Sequence, residues 1–386
     1  MTITGIGSPS SSSTSFFHTH YHHQNTASRK GTYSVIKLLG LGLILYMIIG
    51  DINLKNIPHI LSSSSLSFSL NYLNTPNIPS PYSFEGTLPW SECIKRFPGL
   101  LEEEIYVPLP DDLITDKTYI PQQSADIPIY VLAYNNPTFV QQMVEQIDCY
   151  GSYAVILNSG STYQPMLDYM KKLETGPPSR SGIQHRVIHL DHNAGPRGAF
   201  TPGVFAEMPA FAAITDADIA FNPHLPPNFL IALANLTRLH RNKKVGFSLS
   251  IDNPDRFWPG IYGDGLTITG FESIWWKKRF TTNYCYRYNT HTKVSTPYTL
   301  DLYEASIDTT FAVYDVEQVR PTCRATTCHF FDGIRVANQF KGDHIPWTMN
   351  FTAKWNRQET MAAYGPPAKG STISHKLREY GWLPPE

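Results

Sequence analysis

From about residue 126 the chain alternates short apolar runs with amphipathic stretches, and this alternation restricts the possible folds more than any other feature of its 386 residues. Ile127 to Tyr134 (IPIYVLAY) is an apolar run of the kind shown by a parallel strand buried on both faces. It ends at Asn135-Asn136-Pro137, where Asn136 is placed to cap a helix that starts with Pro137. Val140, Met143, Val144 and Ile147 then recur at helical spacing as one apolar stripe, and Gly151 is a natural terminator. The unit repeats with Tyr153 to Leu157, a polar turn at Asn158 to Thr162, and a helix carrying Met166, Leu167 and Met170 on one face. Arg186 to Leu190, Ala210 to Ile214 and Val245 to Leu249 read as further strands. Strands joined by helices predict an α/β fold: a mostly parallel central sheet with helices on both faces. Ligands in such sheets bind beyond the carboxyl ends of the strands.

At those ends stand Asn135 and Asn136, then Asn158 and Ser159, then Asp191 to Arg197, and finally Thr215-Asp216-Ala217-Asp218. No Gly-x-Gly-x-x-Gly or Walker loop occurs there, which argues against dinucleotide and P-loop chemistry. Asp216 and Asp218 offer another way to hold phosphate. Two carboxylates two residues apart on an extended segment point the same way, and a hard divalent cation can bridge them to a diphosphate. Asp-x-Asp is also common in turns. Here it lies between the apolar runs Ala212 to Ile214 and Ile219 to Phe221, where acids are costly to bury unless they serve something. Asn222-Pro223 then breaks the chain before a helix from about 226 to 240.

With 31 basic against 32 acidic residues the net charge is -1, which argues against nucleic acid as the main partner. Aromatic residues make up 13%, enough to exclude a wholly disordered chain and to supply stacking surfaces for sugars or bases. No acid precedes Asp51, and residues 33–52 are apolar except for Lys37 and Asp51. Lys37 can run its stem along lipid and keep its ammonium at the headgroups, so a single transmembrane signal anchor is expected. Arg29 and Lys30 would then keep residues 1–32 in the cytosol as a disordered tail. A cleaved signal peptide and an organelle transit peptide are the alternatives. Residues 53–125, rich in Ser and Pro, read as a stem, 126–350 as the catalytic domain and 351–386 as a C-terminal extension. The five cysteines, Cys93, Cys149, Cys285, Cys323 and Cys328, lack zinc-site spacing. In a lumen Cys323 and Cys328 could close a short loop, with pairing left open. Sequons at Asn235 and Asn350 are compatible with a secretory route.

The segment Thr215-Asp216-Ala217-Asp218, followed by IAFNP, resembles the Asp-x-Asp segment of GT-A glycosyltransferases of the family 2 type. IPIYVLAYNNPTF, ILNSGST and HLDHNAGPRG are similar to the donor-binding loops of that group. Ile307-Asp308-Thr309-Thr310-Phe311-Ala312, Ile334-Arg335-Val336-Ala337 and His344-Ile345-Pro346-Trp347 resemble its acceptor-side and C-terminal motifs. The resemblance covers about residues 126 to 350. It implies a GT-A domain that uses a nucleotide-diphosphate sugar and Mn2+ or Mg2+ to glycosylate a hydroxyl acceptor with inversion. With the expected anchor this becomes a single-pass type II enzyme of the Golgi membrane, acting on a hydroxyl of a glycan, protein or lipid. Asp216 would lie near the donor ribose, Asn135 and Asn158 at the base, and Arg197 against a phosphate or acidic sugar. Asp218 and His344 would ligate the metal, and Asp308 would act as general base. Trp275, Trp276 and Trp347 would form acceptor-facing walls. This chain has Asn158 where the family commonly has an acid, and Ile307 where a Glu often precedes the base.

Simpler readings stand beside these. Asp308 could cap a helix, His344 could be a loop residue, Trp275 and Trp276 could be packing, and Arg197 a surface loop residue. Two other functions fit the same layout: a nucleotidyltransferase, and a carbohydrate-binding or scaffold protein on the same fold.

Overall fold

The computed structural model describes residues 87–114, 119–260, 265–322 and 332–348. The expected tail, the anchor, residues 53–86 and 115–118 of the expected stem, Cys323 and Cys328, the Asn350 sequon and the C-terminal extension lie outside them. Among the described residues no helix is long and apolar enough to cross a membrane.

The chain enters through α1 (Trp90–Arg96) and β1 (Glu104–Tyr106), then builds β2 (Ile129–Ala133), α2 (Pro137–Cys149), β3 (Ala154–Asn158), α3 (Gln164–Thr175) and β4 (Arg186–His189). After α4 (Pro202–Glu207) come β5 (Phe211–Asp216), β6 (Ile219–Phe221), α5 (Phe229–Leu239) and β7 (Lys244–Leu249). The last part holds α6 (Ile268–Glu272), β8 (Arg279–Asn289), β9 (Val294–Ser306), β10 (Ala312–Asp315), α7 (Val316–Val319), β11 (Asp332–His344) and α8 (Ile345–Thr348).

The early βα units form as their residues dictate. Asn136 caps α2 by accepting from the Phe139 N–H at 3.1 Å, with Pro137 at the first position. The stripe Val140, Met143, Val144 and Ile147 is buried in the main core, each such side chain contributing roughly 1.5–3 kcal/mol by leaving water. That core lies on one sheet face beneath α2, α3 and α5. A second core on the other face gathers Tyr130, Leu132, Ala212 and Ile214 under Val204, Phe205, Val316 and Val319 of α4 and α7. Helices thus cover both faces, as alternation predicts.

The sheet is mixed rather than mostly parallel. Its order is β1-β8-β9-β11-β7-β10-β5-β2-β3-β4, with β6 pairing β11. Parallel pairing joins β4, β3, β2 and β5 and also β7 with β11. Strand β10 runs antiparallel between β5 and β7, and β8, β9 and β1 add an antiparallel flank. Residues 281–298, which show no readable period, fall largely within β8 and β9. Few of their positions are buried, Thr282, Cys285, Leu300, Leu302 and Ala305, and a register shift between Thr282 and Cys285 interrupts the alternation.

Residues 88–107, assigned to the stem by composition, belong to the folded unit. Cys93, Phe97, Ile105 and Val107 are buried in the main core. Asn228 clamps Ile105, accepting from its N–H at 3.1 Å and donating to its carbonyl at 3.0 Å, while Asn235 donates to the Val107 carbonyl at 2.9 Å. Asn235 and Thr237 are therefore both buried in α5, which removes the first sequon as a glycan site of the folded domain. A disulfide joins Cys93 to Cys149 across a sequence separation of 56, pinning α1 to the end of α2. Cys285 is a buried free thiol.

Closing a loop of that length restricts the unfolded chain, so Cys149→Ala should lower the unfolding free energy by roughly 2–4 kcal/mol. Urea denaturation measures this. An unchanged midpoint would contradict the pairing.

Candidate functional site

Asp216 ends β5. Strand alternation puts it on the same face as Ala212 and Ile214, where it is the polar terminus of an apolar strand. Its backbone N–H donates to the Thr309 carbonyl at 2.8 Å, and the Thr309 hydroxyl donates to its Oδ2. Burial, reinforced by the nearby charges of Asp218 and Asp308, pushes the Asp216 carboxyl well above the usual range despite the Thr309 bond.

Asp218 follows in a turn, so the two acids do not share one extended segment; the chain reverses between them into β6. Strand β6 pairs with the end of β11, setting Ile219 opposite His344, and the Ile345 N–H donates to the Asp218 carbonyl at 2.9 Å. This pairing carries His344 to the acids, with its Nε2 3.5 Å from Asp218 Oδ2. Asp218 Oδ1 and His344 Nδ1 are buried with no hydrogen-bond partner among the described residues. A carboxylate and an imidazole in contact, each with a buried polar atom left over, suit a divalent cation with mixed O and N preference. Among the described residues no group of three or more His, Cys, Asp or Glu could hold a metal by itself. A cation here would therefore take its remaining ligands from substrate phosphate and water, as Mg2+ commonly does.

Asp308 lies in the loop between β9 and β10, and its Oδ1 accepts from the Thr310 N–H at 3.1 Å and the Thr310 hydroxyl at 2.8 Å. It caps this turn rather than a helix. Burial raises its pKa, but the two Thr310 bonds, Arg335 and His344 outweigh burial and hold the carboxyl below its ordinary value. Asp216, Asp308 and His344 line one cavity of about 330 Å³, together with Phe271, Trp275 and Trp347.

Two charged residues of this cavity have no sequence signal that separates them from core or surface positions. Glu272 ends α6 and Arg335 lies on β11; both are buried and form an ion pair. Arg335 also donates through Nε to the Ser306 carbonyl at 2.9 Å, and its guanidinium lies 5.4 Å from the Trp275 ring centre. Burial raises Glu272 to about 7, with Asp308 adding to the shift and Arg335 opposing it. The motif Ile334-Arg335-Val336-Ala337 pointed to the segment but not to this pair.

The remaining expected residues are less central. Asn135, at a φ of 51°, accepts through Oδ1 from the Thr162 and Tyr163 N–H groups at 2.8 and 2.9 Å. Asn158 accepts through Oδ1 from the Ser161 N–H at 2.9 Å, and its Nδ2 meets His189 Nδ1 at 2.9 Å. The Asn135 amide oxygen thus ties the loops after β2 and β3 together, and that of Asn158 is committed within the loop after β3. Arg197 is exposed on the 3-10 turn Gly195–Phe200 and does not line the cavity. Trp276 packs edge-on against Tyr303, with ring centres 4.9 Å apart, and does not line the cavity, whereas its neighbour Trp275 does.

No protein-family model matches the chain, and no curated protein matches it. Among solved structures it is similar to a mannosyltransferase from Pyrobaculum calidifontis in complex with GDP-Man and Mn2+, at 18% identity and a TM-score of 0.26. The match covers 37% of this chain and 39% of that one.

Glu272 keeps its proton in the folded state up to about pH 7, while in the unfolded chain it ionises near 4.5. The folded state therefore binds the extra proton, and stability falls as pH rises from about 4.5 to 7. Glu272→Gln should flatten that decline in urea unfolding series. A slope identical to that of the wild type would rule out the shift.

Proposed function

We propose that this domain is a metal-dependent glycosyltransferase that moves a sugar from a nucleotide-diphosphate donor to a hydroxyl acceptor, with inversion at the anomeric carbon. The observation that carries the proposal is the meeting of Asp216, Asp308 and His344, drawn from three separate stretches of chain, at one cavity walled by Trp275 and Trp347, with Asp218 3.5 Å from His344. The family 2 type resemblance of the segments that bear them supports it.

In this reading Asp218 and His344 would hold Mn2+ or Mg2+. When bound, that cation supplies charge neutralisation to the leaving diphosphate, the kind of electrostatic stabilisation that contributes most to such reactions. Asp308 takes the proton from the acceptor hydroxyl. Its depressed pKa keeps it ionised at neutral pH, as a base must be, at some cost in basicity. Asp216, whose carboxyl burial and the neighbouring acids push above the usual range, lies beside the donor, at its ribose, in this reading. Trp275 and Trp347 present apolar rings to the non-polar face of a sugar, and the buried Trp347 closes its side of the reacting centre to water. Asn135 and Asn158 shape the loops that border the nucleotide, and Arg197 meets phosphate from the rim.

We further assign the domain to a lumen, Golgi in the first instance, with residues 33–52 as its anchor. The Cys93–Cys149 disulfide supports an oxidising compartment.

Asp218→Ala should abolish Mn2+-dependent donor binding in calorimetry, and unchanged binding would take Asp218 out of the site. Asp308→Asn should bind donor normally yet lose turnover by about 100-fold or more, the range expected for removal of a general base. Retained turnover would refute the role given to Asp308.

A further inference from the structure

Lys244 opens β7 directly after Arg241, Asn242 and Lys243, in a polar run whose sequence suggests a solvated edge. It is instead fully buried, at 0% exposure. Its Nζ donates to the carbonyl of Ile307 and lies 5.4 Å from the ring centre of Tyr314. The stem packs against Gly333, where an added Cβ would stand 3.1 Å from both Lys244 Cγ and Ile307 Cδ1. Taking an ammonium out of water is expensive unless paired charges and hydrogen bonds compensate it. Ile307 directly precedes Asp308. At the other end of the same loop, the Phe247 N–H of β7 donates to the Phe311 carbonyl at 2.9 Å. Strand β7 therefore grips both ends of the loop that carries Asp308. A Cβ on Gly246 would come within 2.2 Å of the Phe311 carbonyl oxygen, so the end of the loop lies directly on the strand backbone and any larger residue at 246 would push it away.

We propose that Lys244 is a positioning residue: its buried amine fixes the Ile307 carbonyl, and through it the Asp308 carboxylate. The inference rests on the reading of Asp308 as the general base. Burial brings the amine to about 8; among the described residues Asp308 and Asp332 favour its ammonium and Arg335 opposes it. It is thus a cation at neutral pH, one that loses its charge far more readily than a solvated lysine.

Two measurements test this. In the full chain, 15N NMR of the Lys244 Nζ should give a titration midpoint near 8, and Asp308→Asn should lower that midpoint further by removing a favourable charge. A midpoint in the ordinary lysine range, or no response to Asp308→Asn, overturns the proposal. Lys244→Met should keep wild-type donor affinity and lose turnover by at least about tenfold through misplacement of the base. Lys244→Arg should recover part of the loss. Wild-type turnover in Lys244→Met also overturns it. The NMR titration needs neither activity nor a folded Lys244→Met, so it decides the coupling by itself. A wild-type chain with no transfer counts instead against the transferase reading.

Discussion

Asp216 places a carboxyl group at the end of an otherwise apolar strand, and the structure around it is arranged to offset the cost of burying that group. Isolated burial of an ionised carboxylate is prohibitive, so such a group neutralises or finds donors. Here it does both: the Thr309 hydroxyl donates to it, and its surroundings drive it toward the protonated form. The backbone bond from Asp216 to the Thr309 carbonyl fixes the loop that carries Asp308. One strand end thereby sets two of the acids of the cavity.

Topology supplies the rest. Strand β10 is inserted antiparallel between β5 and β7, so the chain leaving β9 must turn at the carboxyl end of β5 before entering it. That turn holds Asp308. The end of β11 is captured by β6, the short strand after Asp218, and delivers His344 to the same place. Hydrogen-bonded ladders, rather than loops alone, hold these groups, which suits chemistry that depends on fixed donors and acceptors. The charges also complement one another. Arg335 joins Glu272 and lowers Asp308, leaving a cavity with carboxyl groups in different protonation states within a small volume. Environments that push acids apart in this way are how one site separates hydrogen-bond donor from base.

The sequence disclosed the parts of this arrangement that rest on periodic burial. Strands β2, β3, β4, β5 and β7, and helices α2, α3 and α5, all fall where apolar runs and stripes place them, with Asn136 and Pro137 marking the start of α2. The acids Asp216 and Asp218 were visible because polar residues between apolar runs stand out. Strands β8 and β9 were not visible, since few of their positions are buried and a register shift between Thr282 and Cys285 breaks the alternation. The fold's entry at α1 and β1 was hidden for a related reason. Those short elements are held by a disulfide and by side-chain clamps from Asn228 and Asn235, which leave no local pattern. Glu272, Arg335 and Lys244 escaped because a charged residue in isolation reads as surface; only the tertiary fold shows that each is buried against a partner.

The central claim is that the cavity binds a nucleotide-diphosphate sugar through a cation held by Asp218 and His344. Thermal unfolding of the chain against a panel of nucleotide sugars, each with and without Mn2+, tests it most directly. A ligand at about 100 times its dissociation constant stabilises by roughly 2.7 kcal/mol, a readily measured rise in melting temperature. The account predicts that at least one nucleotide sugar produces such a rise only when Mn2+ is present. A panel that produces no rise, or a rise that is the same with and without Mn2+, would contradict it.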